Sequence, residues 1–163
     1  MNEVQSYLQM MIESLNKKDA ALAKIIEKNR AQSECIHDKD YGDIDWDRFN
    51  VLIEEKETLI ERINELDAGF QSLYDRIRDR LGQGKDSYKE EIKTLQELIT
   101  KITDKGVEIQ TSEERNRARI ERVLMGAKKE IRKSRKSMQA VTNYYKSMSA
   151  PEADISGLVD KKK

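Results

Sequence analysis

Proline, histidine, tryptophan and cysteine each occur once in these 163 residues, and phenylalanine only twice. One proline and seven glycines leave few places for a chain to turn. A single histidine, His37, excludes a multi-imidazole metal site within the chain. A single cysteine, Cys35, excludes an intramolecular disulfide and fits a reducing compartment. The 31 basic and 31 acidic residues cancel, so no whole-molecule field draws in nucleic acid or anionic membrane. No apolar run nears the roughly 18 residues that a spanning helix needs. Val4, Leu8 and Met11 are separated by polar residues, so no cleaved secretory signal is expected and a cytoplasmic location is the default.

What remains is abundant charge (38%) beside regularly spaced aliphatic residues, the composition of long helices packed along seams. Apolar residues recur at steps of three and four at Val4, Leu8, Met11, Leu15, Leu22, Ile25 and Ile36, with Lys18, Asn29 and Gln32 at intervening seam positions. Residues three and four apart share one helical face, so this pattern predicts a helix over 3–36. A connector rich in aspartate follows, with Asp45 as the expected cap of the next helix. That helix, over 46–81, carries the most regular stripe: Phe49, Leu52, Leu59, Ile63, Leu66, Phe70, Leu73 and Ile77, broken only by Lys56. Gly82-Gln83-Gly84 is expected to end it through a left-handed glycine.

A third helix is expected over 87–148. Its first stripe is Tyr88, Ile92, Leu95, Ile99, Ile102 and Ile109; its second is Leu124, Ala127, Ile131, Met138, Val141, Tyr145 and Met148. Joining the two at Ile120 needs consecutive steps of four, a stutter, and the stretch 110–119 places Glu113 and Asn116 on the seam. A bend or break near 110–119 is therefore left open. Some 60 helical residues span about 90 Å, which two helices of about 35 residues cannot cover. The distal part must project, fold back or pair with another molecule. The expected fold is an all-α, elongated antiparallel bundle of three long helices with coiled-coil character. It forms one domain over 1–150, followed by a flexible tail over 151–163 that begins at Pro151.

Residues with catalytic potential do not converge. Cys35 and His37 lack a third group to orient them, and paired carboxylates such as Glu54 with Glu57 are ordinary on charged helices. Asp43, Asp45, Asp47 and Glu54 fall at calcium-loop positions, but Arg48 stands where glycine is required. No catalytic, cofactor-binding or metal-ligating residue is therefore assigned. The basic stretch from Arg115 to Lys136 lacks interleaved aromatics, so an acidic protein surface or an acidic helix of the same chain suits it better than nucleic acid. Met138, Val141, Tyr144, Tyr145 and Met148 are adaptable contact residues, suited either to a partner or to packing on the first two helices.

Four passages carry a family resemblance. They are the stripe from Tyr7 to Ile26; Phe49-x-x-Leu52-x-x-Glu55-Lys56-x-x-Leu59-Ile60-x-x-Ile63-x-x-Leu66; Ser112-Glu-Glu-Arg-Asn116; and Tyr144-Tyr145-Lys146-Ser147-Met148. In order, length and ending, the chain resembles flagellar export chaperones of the FlgN/FliT type. The resemblance implies a non-enzymatic cytoplasmic chaperone. It would bind hook-associated or filament-cap subunits, hold them unassembled and deliver them to the type III export apparatus, whose components are further partners. It implies a protein-binding surface made by Leu124, Ile131, Met138, Val141, Tyr144, Tyr145 and Met148. A structural coiled-coil oligomer or adaptor without an export client, self-associating through the third helix, is the alternative.

Overall fold

The computed structural model describes residues 2–130 and 143–146. Helix α1 (Glu3–Ile36) starts with a capping box. The Asn2 Oδ1 accepts from the Gln5 amide at 2.8 Å, while the Gln5 Oε1 accepts from the Asn2 amide at 3.1 Å. Helix α2 (Trp46–Gln83) is capped by Asp45, whose carboxylate accepts from the Arg48 amide at 3.0 Å. The same carboxylate lies in the near-miss calcium loop, where it serves the helix end. A 3-10 turn at Tyr41–Asp43 precedes α2, and another at Lys85–Tyr88 leads into α3 (Lys89–Glu130). At 42 residues, α3 is the longest of these helices.

Two turn details differ from the expectations. Gly84 ends α2 with a φ of −133°, not in the left-handed region. Among the described residues, the only positive φ of a non-glycine is Asp38, at 51°, just past α1. Aspartate tolerates that region because its short polar side chain can satisfy nearby backbone, so the chain reverses there without glycine.

Cross-helix pairs define the packing. Glu3 with Arg80, Lys18 with Asp67 and Lys28 with Glu55 run in opposite order along α1 and α2, so these two are antiparallel. Asn2 with Tyr88, Asp19 with Lys105 and Ser33 with Arg119 run in the same order, so α1 and α3 are parallel neighbours. Helix α1 makes the close approaches to both others, whereas α2 and α3 meet chiefly through long side chains. The result is an all-α bundle with α1 at its centre.

The seam of α3 departs from the expected one. Leu98 is buried and Ile99 is 37% exposed, the reverse of the expected phase. Leu95 to Ile102 can be bridged through either residue, by steps of three then four or four then three, and packing on α1 selects Leu98. The same degeneracy places Ile60 in the core and leaves Leu59 half-buried. Nor does the stutter fall at Ile120. Glu113, Ile120 and Ala127 are all buried at intervals of seven, and consecutive steps of four occur instead at Leu98, Ile102 and Gly106. Through 110–119 the helix is uninterrupted, because its polar seam residues find partners on α1 and α2.

Candidate protein-binding surface

Two apolar regions lie along the bundle, with a polar layer between them. The larger is aliphatic: Val4, Leu8, Met11, Leu15, Leu22 and Ile25 of α1 against Ile60, Ile63 and Ile77 of α2 and Leu95, Leu98, Ile102 and Ile109 of α3. The smaller lies where α1 ends and α2 begins. Ile36, Ile44, Phe49, Ile53 and Ile120 are buried there, with Trp46, Val123, Leu124, Tyr144 and Tyr145 packed around them.

The polar layer is built from the interruptions in all three stripes. The Lys56 Nζ donates to the Glu113 Oε1 at 2.6 Å and to the Asn29 Oδ1 at 2.9 Å. The Asn29 Nδ2 donates to the Ser112 Oγ at 2.8 Å, and the Asn116 Nδ2 donates to the Asn29 carbonyl at 3.1 Å. Lys56 is only 5% exposed and Glu113 9%. Burial pulls the Lys56 ammonium below the ordinary lysine value, and the adjacent Glu113 carboxylate opposes that shift. Gln32, equally buried, has no protein partner for its amide. Nothing in this layer is a reacting centre: each charge is engaged by the neighbouring helix.

The distal cluster is aromatic. Trp46 meets Phe49 edge-on with ring centroids 5.8 Å apart, and meets Tyr145 at 6.1 Å. Phe49 meets Tyr144 at 6.1 Å and Tyr145 at 6.5 Å, and the two tyrosines meet each other at 5.6 Å. Edge-on and tilted arrangements set the positive ring edge against a negative face, the favourable geometry for such pairs. The Tyr144 hydroxyl also donates to the Phe49 carbonyl at a long 3.5 Å. Burial pushes both phenols well above the ordinary tyrosine value.

Of the expected surface residues, Leu124, Tyr144 and Tyr145 come together here, all half-buried. Ile131, Met138, Val141 and Met148 lie outside the described residues, as does the tail over 151–163. In one straight helix Ile120 and Tyr144 would stand about 36 Å apart, yet both pack on the Phe49 cluster. The turn at 143–146 therefore sits back on the end of the bundle. Its floor, made by Trp46, Phe49 and Ile44, was not anticipated as part of this surface. Phe49 read as an ordinary seam residue, and no local signal ties it to residues 95 positions away.

Cys35 borders the same cluster, and burial raises its thiol above the ordinary cysteine value, which disfavours the nucleophilic thiolate. The imidazole of His37 faces Asp38 at 3.1 Å, an exposed pair. Among the described residues no group of three or more His, Cys, Asp or Glu could hold a metal ion. No helix among them is long and apolar enough to cross a membrane.

In class the molecule is a bundle of long helices whose polar chemistry holds helix to helix and whose aromatic end seats the turn at 143–146. A family model described as FlgN protein matches residues 1–152, and the chain belongs to that family. Its general role is that of a flagellar export chaperone. No match is found among curated proteins or among solved structures.

Proposed function

We propose that this chain acts in the cytoplasm on hook-associated or filament-cap subunits, holding them unassembled and delivering them to the type III export apparatus. The client contacts Leu124, Ile131, Met138, Val141, Tyr144, Tyr145 and Met148. Membership of the FlgN family supports the general role. The observation that carries the surface assignment is the seat of Tyr144 and Tyr145 on Trp46 and Phe49. Both tyrosines remain only half-buried, so the pair has apolar area left to cover. Tyrosine offers large contact area with few rotatable bonds, which suits it to the centre of an interface. A client helix that adds to this seat, or replaces residues 143–146 on it, would bury apolar surface that otherwise drives premature assembly.

The test is light scattering across concentration, for the chain alone and with purified hook-associated proteins and filament-cap protein. A discrete complex with one of them supports the reading and identifies the client. Loss of that complex on Tyr145→Glu supports the surface. Self-association without any complex at micromolar concentration would replace this reading with the structural oligomer.

A further inference from the structure

The basic residues of α3 divide into two sets once the helices are packed. Elsewhere in the bundle, cations face carboxylates on a neighbouring helix: Lys18 on Asp67, Lys28 on Glu55, Arg80 on Glu3 and Lys105 on Asp19. Past Ser112 the only such pair among the described residues is Lys56 of α2 on Glu113, and the arginines of α3 itself depart from the pattern. Among the described residues, no carboxylate of α1 or α2 pairs with Arg115, Arg119 or Arg122. Arg119 donates to the Ser33 hydroxyl at 3.0 Å and Arg122 to the carbonyl of Ala118 on its own helix.

Arg115 and Arg119 line a cleft of about 180 Å³ between α1 and α3, together with Arg30 and the hydroxyls of Ser33 and Ser112. Glu108 is the lone acid on its wall, and it faces Arg30 at a loose 3.8 Å. Three guanidinium groups against one carboxylate leave an excess of two positive charges, in a chain whose overall charge is zero. The floor includes Asn116, fixed by its bond to the Asn29 carbonyl, so this side is tied to the buried polar layer.

Size and shape select the ligand. Pockets for small molecules and cofactors run to about 300–1,000 Å³, so this cleft is too small for a nucleotide. It suits one or two short anionic groups. Guanidinium forks bind carboxylates through paired hydrogen bonds, and Arg115 and Arg119 stand one helical turn apart. Carboxylates one turn apart on a partner helix have the same spacing.

We propose that the cleft between α1 and α3 receives paired carboxylate side chains from an acidic helical segment of a protein partner, engaged by Arg115 and Arg119. This goes beyond the client-binding reading and does not rest on it. The cleft faces a different set of residues from the Phe49 cluster and needs no flagellar subunit to be tested.

The probe is a fluorescein-labelled helical peptide with glutamates four residues apart, followed by anisotropy at low salt, with a glutamine version as its control. The full chain should bind the glutamate peptide at least tenfold more tightly than the glutamine one. Arg115→Ala should remove most of that difference, whereas Arg62→Ala, which removes the same charge from α2, should not. Amide shifts on peptide addition should fall on Ser33, Ser112 and Asn116. Equal binding of the two peptides, or equal weakening by Arg115→Ala and Arg62→Ala, would overturn the proposal. So would full displacement by millimolar inorganic phosphate at constant ionic strength, which would mark a general anion site. Thermal melting of Arg115→Ala checks that the bundle is intact. Failure here leaves the client complex measured by scattering unaffected, so the two readings fail separately.

Discussion

The two apolar regions differ in how they are made. The aliphatic core draws on three long stripes, so each helix contributes residues at near-regular spacing over several turns. The distal cluster draws one to three residues each from the end of α1, the connector, the start of α2, the far part of α3 and the turn at 143–146. The first is redundant, since many similar contacts share the load. The second is concentrated in a few rings that touch one another, and the described part of what covers it is the single helical turn at 143–146. Stability should therefore reside mainly in the first region, and the proposed partner contact in the second. The buried layer of Lys56, Glu113, Asn29 and Asn116 separates them and fixes how the helices are aligned.

The largest effect should come from cutting that separating layer. Glu113→Ala leaves the Lys56 ammonium buried without its carboxylate, and should cost about 3–5 kcal/mol in urea unfolding. Replacing both with apolar residues, Lys56→Met with Glu113→Leu, should restore most of that loss. If the double variant stays as unstable as the single one, the pair is not what aligns the helices. In the aliphatic core, Leu15→Ala should cost about 2–5 kcal/mol and lower the whole helical melt as one transition.

The distal cluster should respond locally. Tyr145→Ala should change the emission of Trp46, the only tryptophan, while shifting the helical melt less than Leu15→Ala does. A global loss equal to that of Leu15→Ala would erase the proposed division. The same cluster should loosen in alkali. Because the folded-state values of Tyr144 and Tyr145 are raised, their contribution is complete below about pH 10 and is lost as pH rises through those values. Ultraviolet titration should show a late tyrosinate fraction that disappears in the double Tyr→Phe variant at these positions. The smallest effect belongs to Asp45→Ala, which removes the cap of α2 beside the cluster and should cost about 1 kcal/mol.

Much of this was legible before any packing was known. Steps of three and four mark α1 and α2, and Asp45 announces the start of α2, because capping and face-sharing are local consequences of helical geometry. Where two apolar residues adjoin, as at Leu59 with Ile60 and Leu98 with Ile99, spacing alone allows either, and the neighbouring helix selects one. The end of α2 misled for a related reason: glycine permits a left-handed cap without requiring it.

The proposed surface was half legible. Leu124, Tyr144 and Tyr145 stood out by residue type, but their floor of Trp46 and Phe49 did not, because aromatic contacts 95 residues apart leave no trace in local spacing. Arg30 and Ser33 were equally silent as partners of Arg115 and Arg119.

By itself, the sequence determined that this chain would be helical, with no described helix long and apolar enough to cross a membrane, and built on amphipathic stripes, since periodicity and composition act through each helix alone. It also showed polar residues interrupting each stripe: Asn29 in the first, Lys56 in the second, Glu113 and Asn116 in the third. Only the tertiary structure decided that these stand at one level and satisfy each other. The reason is physical. A buried charge is tolerable only beside its partner, and which residue becomes that partner depends on how three helices are aligned.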